Sequence, residues 1–240
     1  MAHKHLIGSL KKFLVEPSNP AVQKDIRSSM KALEYIFKFI IQSRVLQRNQ
    51  DKKTPTAGKS DEAFREQLLS LFQDFNKMMA TTNTPALIGA QTLALQNFSS
   101  IFKELSKVFE TKELVGIAAS FIESVNLQNQ TITVEKLRMI RGLVNSQLFL
   151  NNDARAVLAP VVIRQINQHL NLSEKESLKP SMSILSEVLN TIQKTSDAGE
   201  GAFSVLTMLP RLIVAYNELS DGDTKDELCN ISPIPFPNQR

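Results

Sequence analysis

Three histidines, one cysteine and a few close carboxylate groups are the side chains in this 240-residue sequence whose types could support catalysis or metal binding. A zinc or iron site on a helix needs two ligands on one face, and His169 has no histidine or cysteine four residues away in either direction. It reads as an exposed or helix-capping residue. His3 and His5 fall in a terminal segment read as a fraying end, and Cys229 stands alone, so neither a disulfide nor a Cys-based zinc site assembles within one chain. The Gly199-Glu200-Gly201 string lacks the spacing and the preceding strand that would let backbone amides hold a phosphate. Asp61-Glu62 suits a helix start, and Asp221, Asp223 and Asp226 suit a solvated tail. No catalytic, cofactor-binding or metal-binding residue is assigned, and no cofactor is expected. The isolated chain is expected not to be an enzyme.

The elements that would position any site are helices. With 42% hydrophobic residues, 22% charged residues and only 8 glycines, the composition is that of an ordinary globular protein with little provision for tight β-turns. Apolar residues return at helical spacing in segment after segment, and no useful stretch alternates with period two. No apolar run is long enough to span a membrane, and the start has no signal-peptide core, so the expected compartment is the cytoplasm.

Asn19-Pro20 offers a cap and a preset first φ for a long helix expected to reach Arg48, with Ile26, Met30, Leu33, Phe37, Ile40 and Ile41 inward. Ile36 and Phe39 are apolar on its other faces, which predicts cover on more than one side. Further stripes are Phe64, Leu68, Leu71, Phe72, Phe75 and Met79, then Leu87, Ala94, Phe98, Ile101, Leu105 and Phe109 after the Thr84-Pro85 start. Leu114, Ile117, Phe121 and Val125 follow, then Leu137, Ile140, Val144 and Leu148, then Val157, Val161, Ile166 and Leu170. A capping box at Ser173 opens the stripe Leu178, Met182, Leu185, Leu189 and Ile192, and Ala202, Leu206, Leu209, Ile213 and Tyr216 form the last. Prolines 160, 180 and 210 fall inside helical patterns, where kinks are expected.

Helix starts recur every 20 to 27 residues or so, so a helix pair repeats at about the forty-odd residues of armadillo or HEAT units. The fold class expected is all-α: a right-handed α-solenoid of stacked antiparallel helix pairs, about nine helices in all. Residues 1–220 would form the scaffold, with a flexible loop at 49–60 containing Pro55 and Gly58. Residues 221–240, with Pro233, Pro235 and Pro237, would form a disordered tail or linker.

Charge is uneven. Residues 1–60 hold twelve Lys/Arg against four Asp/Glu, while the whole chain is +4. Lys11, Lys12, Lys24, Arg27, Lys52, Lys53 and Lys59 could meet an acidic membrane, a nucleic acid or an acidic protein surface, or simply form solvated helix faces. Nucleic acid is the weaker option, because tryptophan is absent and the phenylalanines sit in core stripes. Met78-Met79 fits core filling better than an adaptable binding surface.

Some strings are packing signatures specific enough to suggest a family. Residues 34–44, Glu34-Tyr35-Ile36-Phe37-Lys38-Phe39-Ile40-Ile41-Gln42-Ser43-Arg44, resemble a segment of the dedicator-of-cytokinesis (DOCK) family. Val144-Asn145-Ser146-Gln147-Leu148-Phe149, followed by Asp153, Arg155, Leu158, Pro160-Val161-Val162 and His169-Leu170, is similar to the same family further along and in the same order. Ile184 to Leu189 gives a third match. The resemblance implies an armadillo-like scaffold lying between a C2-like lipid-binding domain and an exchange domain that loads GTP onto Rho-type GTPases. Neither flanking domain corresponds to any part of these residues, so no exchange residue is carried over. The implied role is a non-catalytic segment of a guanine-nucleotide exchange factor for Rac or Rap, partnered by the other domains of that factor and, through them, by the GTPase. The plasma membrane would be its site of recruitment. Two other classes stay open: an independent armadillo-type protein-binding adaptor, and a basic binder of membrane surfaces or nucleic acid.

Overall fold

The computed structural model describes residues 2–51, 57–127, 129–170 and 175–195. Among these the fold is all-α, with eleven α-helical segments and no strand. The chain divides into two compact units, Met1–Met139 and Ile140–Arg240.

The first unit opens with α1 (Ala2–Val15), where Ile7, Leu10 and Leu14 point inward. The segment expected to fray is therefore a helix, held by an apolar stripe that is short but regular. The long helix expected from Asn19 to Arg48 is two: α2 (Gln23–Lys31) and α3 (Leu33–Asp51). Its expected inward residues Ile26, Met30, Leu33, Phe37, Ile40 and Ile41 are all fully buried. The break falls at Ala32, whose N–H is shared between the Ser28 and Ser29 carbonyls at 3.2 Å each. Asn97 Nδ2 donates to the Met30 carbonyl at 3.2 Å, so a side chain from a later helix satisfies a main-chain acceptor at the break. At the start, Asn19 Oδ1 accepts from the Ala21 N–H at 3.0 Å, and regular helix begins at Gln23.

Helix α3 continues to Asp51 and α4 (Ala57–Ala80) starts soon after, so both helices extend into the 49–60 segment expected to be a flexible loop. Asn, Gln, Lys and Ala are tolerated in helices, and the adjoining apolar stripes extend the periodicity on each side. Residues 52–56 lie outside the described residues. At the far end of α4, the buried Gln91 side chain donates to the Met78 and Thr81 carbonyls at 2.9 and 3.0 Å, closing two main-chain acceptors that the helix end leaves open. Asn83 then turns the chain with φ of 58°, a left-handed conformation that asparagine adopts more readily than most residues.

Pro85 begins α5 (Pro85–Phe98) as expected, but the Thr84 hydroxyl donates to the Thr82 carbonyl and makes no cap bond to the helix. A 3₁₀ turn at Ser99–Ile101 separates α5 from the single turn α6 (Phe102–Leu105). Ser100 Oγ bonds the Asn97 carbonyl at 2.7 Å, a local alternative to the helical ladder that explains why one expected helix is divided. Helix α7 (Thr111–Ser124) has a capping box that the sequence reading missed, with the Glu110 N–H donating to Glu113 Oε2 at 2.9 Å and the Glu110 side chain accepting from the Glu113 main chain. Helix α8 (Gln130–Val144) is capped by Asn129, whose Oδ1 accepts from the Ile132 N–H at 2.9 Å.

Six phenylalanines bind the centre of this unit. Phe37 of α3 stacks on Phe72 of α4 at 5.5 Å, Phe72 meets Phe98 of α5 edge-on at 6.3 Å, and Phe98 contacts Phe102 and Phe121. Phe75 completes the group beside Phe37 and Phe72. Helix α1 lies against α3 and α4, α2 against α5, and α4 against α7.

In the second unit, the single turn α9 (Gln147–Leu150) and α11 (Lys175–Thr195) both pack on α10 (Asn152–Leu170). Val157, expected inward on α10, is more than half exposed, while Leu158, Ala159, Val162, Ile163 and Ile166 fill the core. Of the expected stripe Val161 and Ile166 are buried, and Val157 gives way to Leu158 because the apolar run from Ala156 to Ile163 has no polar residue to fix its phase. Leu178, Met182 and Leu185 are buried on α11 as expected, joined by Ile184 and Val188, whereas Leu189 and Ile192 are only half-buried. Pro160 and Pro180 both lie within helices. The Ser173 capping box, Pro210, the Ala202–Tyr216 stripe and the 221–240 tail lie outside the described residues.

Candidate interaction surface

Of the polar residues singled out in the sequence, Asp61 and His3 lie where one helix meets another. Arg44 of α3 is buried, with its Nε 2.9 Å from Asp61 Oδ1 on α4 and its guanidinium 5.7 Å from the centre of the Phe64 ring. Arg48 reaches the other Asp61 oxygen at 3.3 Å. Asp61 is thus committed to joining two helices, which accounts for its place early in α4. His3 is also buried in this corner. Its main-chain N–H and its Nδ1 lie 3.3 and 3.0 Å from Ser43 Oγ, and its ring meets Phe64 edge-on at 5.4 Å. Burial, then the neighbouring Arg44 charge, holds the imidazole below the ordinary histidine pKa. A neutral ring lets Nδ1 accept the Ser43 hydroxyl proton while Ser43 Oγ accepts from the His3 main chain.

A second junction joins α4 to α7. Arg65 donates to Glu113 and lies 5.8 Å over the Phe109 ring. Burial pushes the Glu113 carboxyl up, but hydrogen bonds from Arg65 and from the Glu110 N–H outweigh it and hold the group below its usual range. In the second unit the fully buried Arg155 takes the place of a C-terminal cap, with Nη1 donating to the Phe149 and Leu150 carbonyls at 3.1 and 3.3 Å and Nη2 to Asn152 Oδ1 at 2.7 Å.

His5 is exposed, and His169 is buried on α10, which corrects its reading as an exposed residue. Met78 and Met79 are buried, consistent with core filling. Lys11 bonds Ser70 Oγ at 2.6 Å, Lys12, Lys24 and Lys59 are exposed, and the Arg27 guanidinium passes close to Gly89 of α5. Cys229, Gly199, Gly201, Lys52, Lys53 and the Asp221 to Asp226 group lie outside the described residues. Among the described residues no three His, Cys, Asp or Glu side chains gather as a metal site, and no helix is long and apolar enough to cross a membrane.

One surface feature departs from expectation. Tyr35, Phe39 and Leu46 of α3 are each 65% exposed, although the sequence predicted that Phe39 would be covered. They share the face opposite Phe37 and the buried Arg44, and Gln42 falls between them on the same line. The aromatic content of the segment signalled burial, and only the phase of the helix against its neighbours reveals which aromatic residues remain outside.

Residues 1–219 match the family model described as the dedicator of cytokinesis (DOCK) TPR region. The human and mouse proteins named dedicator of cytokinesis protein 3 are each 32% identical to this chain over 202 residues, which is 82% of this chain and 10% of the relative. Mouse dedicator of cytokinesis protein 4 is 31% identical over 201 residues, with the same coverage. The chain therefore spans about a tenth of the length of the curated relatives it matches.

Proposed function

The chain belongs to the dedicator-of-cytokinesis family, and on that premise we propose that it is a non-catalytic helical scaffold segment of a guanine-nucleotide exchange factor for Rac or Rap. The observation that carries this reading is the match to a helical repeat region over residues 1–219. The use of the arginines agrees with it: the buried Arg44 and Arg155 and the half-buried Arg65 fix one helix against the next. A stack of helices in which each packs on its neighbours holds what lies at its ends at a set separation, and that is its contribution to signalling.

On this reading residues 1–220 act as the scaffold and 221–240 as a tail or linker. The partners are the other domains of the same exchange factor, with the GTPase engaged through the exchange domain and an acidic surface meeting the basic first third. The working location is the cytoplasm, with recruitment to the plasma membrane.

Release of a fluorescent GDP analogue from purified Rac and Rap, with the chain in excess, tests the non-catalytic assignment. Preferential binding to a nucleotide-free GTPase would accelerate release without any catalytic triad, so the assay addresses the one activity a helical surface could supply unaided. The expected trace is flat. A several-fold acceleration that persists through repurification would overturn the assignment.

A further inference from the structure

The exposed line on α3 has the geometry of a helix-packing seam. Tyr35, Phe39, Gln42 and Leu46 recur at intervals of four, three and four residues, the spacing by which one helix presents a continuous edge to another. The line runs for about 17 Å along the helix. Half-buried Ile36 and Val45 widen it on either side, and Gln42 interrupts it as polar residues do in seams that fix register.

The surroundings select the partner's charge. Lys38, exposed, adjoins the line between Tyr35 and Phe39, and Lys31 is exposed at the end of α2, four residues before Tyr35 in the chain. Residues 2–51, which form α1 to α3, hold nine Lys/Arg against four Asp/Glu. Glu34 lies further round the helix from the line than Lys38 does, and the opposite flank carries Ser43 and Gln47 without charge. A second copy pairing antiparallel through Tyr35 and Leu46 would bring like flanks together, set Lys38 against Gln42 and Val45, bring it no carboxylate, and face one basic surface with another. A lipid surface calls for a broad apolar face, whereas this is a single file with a glutamine in it.

We propose that the α3 line is a docking seam for an amphipathic helix of another protein chain, one with an apolar edge and carboxylates beside it to face Lys38 and Lys31. This inference does not depend on the scaffold reading. A chain that accelerated GDP release would still carry the seam, and a scaffold lacking the seam would still be a scaffold.

The chain has no tryptophan, so Tyr35→Trp in the full-length chain places a single fluorescent reporter on the seam. The probes are two three-heptad peptides with leucine at both seam positions, one with glutamate at all flanking positions and the other with lysine. Like charges along each flank keep either peptide from pairing with itself. The expected result is a saturable blue shift with the glutamate peptide, at least ten-fold weaker with the lysine peptide. Phe39→Ser or Leu46→Ser should weaken binding ten-fold or more, and Lys38→Glu should narrow or reverse the preference between peptides. All three residues are exposed, so an unchanged helical circular dichroism spectrum is expected and separates lost binding from lost folding. Equal responses to the two peptides, or none to the glutamate peptide, would overturn the proposal. So would a shift produced by vesicles containing phosphatidylserine alone, which would assign the seam to lipid. A concentration-dependent shift without peptide, accompanied by dimer in sedimentation, would assign it to a second copy.

Discussion

The rings of Phe98 and Phe121 stack almost parallel, with centroids 3.5 Å apart and planes 7° from each other. Through this contact α5 is fastened to α7, and through Phe72 and Phe102 the same ring reaches α4 and α6. Large, rigid side chains at the meeting point of four helices fix their mutual placement, which is the property a scaffold needs.

Phe121→Ala should therefore destabilise the first unit by about 3–5 kcal/mol through lost burial and the cavity left beside Phe98. The urea midpoint measures it, with the slope checked for a change in the unfolded state. A loss within error would mean that the stacked pair is not part of a close-packed core.

In the second unit Leu185, buried on α11, plays the matching part. Leu185→Ala is expected to cost about 2–5 kcal/mol. A transition that leaves the first unit's midpoint unchanged would further indicate that the two units unfold independently.

Asp61→Ala leaves the buried Arg44 without its carboxylate, and the expected loss is about 1–3 kcal/mol because Asp61 itself is partly solvated. Replacing both, as Arg44→Met with Asp61→Ala, should recover much of that loss, since an apolar side chain in the Arg44 position leaves no unpaired charge. A double-mutant cycle on urea midpoints gives the coupling. Additive losses would contradict a direct pair.

His3 makes stability depend on pH. Its pKa is lowered in the folded chain, so the unfolded state takes up the proton first, and stability falls as pH drops below the ordinary histidine value of about 6.5. The decline continues until the folded pKa is passed. His3→Gln should flatten this part of the profile, measured as urea midpoints between pH 7.5 and 5. Parallel profiles for the two proteins would show that the histidine stays as easily protonated in the fold as outside it.

Much of the core was legible in the sequence. The six expected inward residues of the Asn19–Arg48 region are fully buried, and the stripes on α4, α5 and α7 are buried too, because apolar periodicity directly reflects which face leaves water. The divisions were less legible. The break at Ala32 is sealed by Asn97, which lies more than sixty residues away, and no local pattern announces that bond. The exposed α3 seam was hidden for a related reason, since Phe37 and Phe39 look alike in sequence and only neighbouring helices decide that one is core and the other surface. Arg44 and Arg155 enter the sequence analysis only as parts of a family likeness, yet both are buried and structural, because their carboxylate and carbonyl partners are supplied by the fold.

The scaffold assignment is tested most directly in a longer relative. In human dedicator of cytokinesis protein 3, the stretch that matches this chain can be replaced either by the chain itself or by a flexible glycine-serine linker of equal length. Cellular levels of GTP-bound Rac and Rap are then measured at matched expression. A rigid spacer predicts that the levels measured with the unaltered parent are kept when this chain is inserted and fall to those of cells without the parent when the linker is. Equal activation by the linker would contradict the account, because it would show that the separation held by these helices is not what signalling requires.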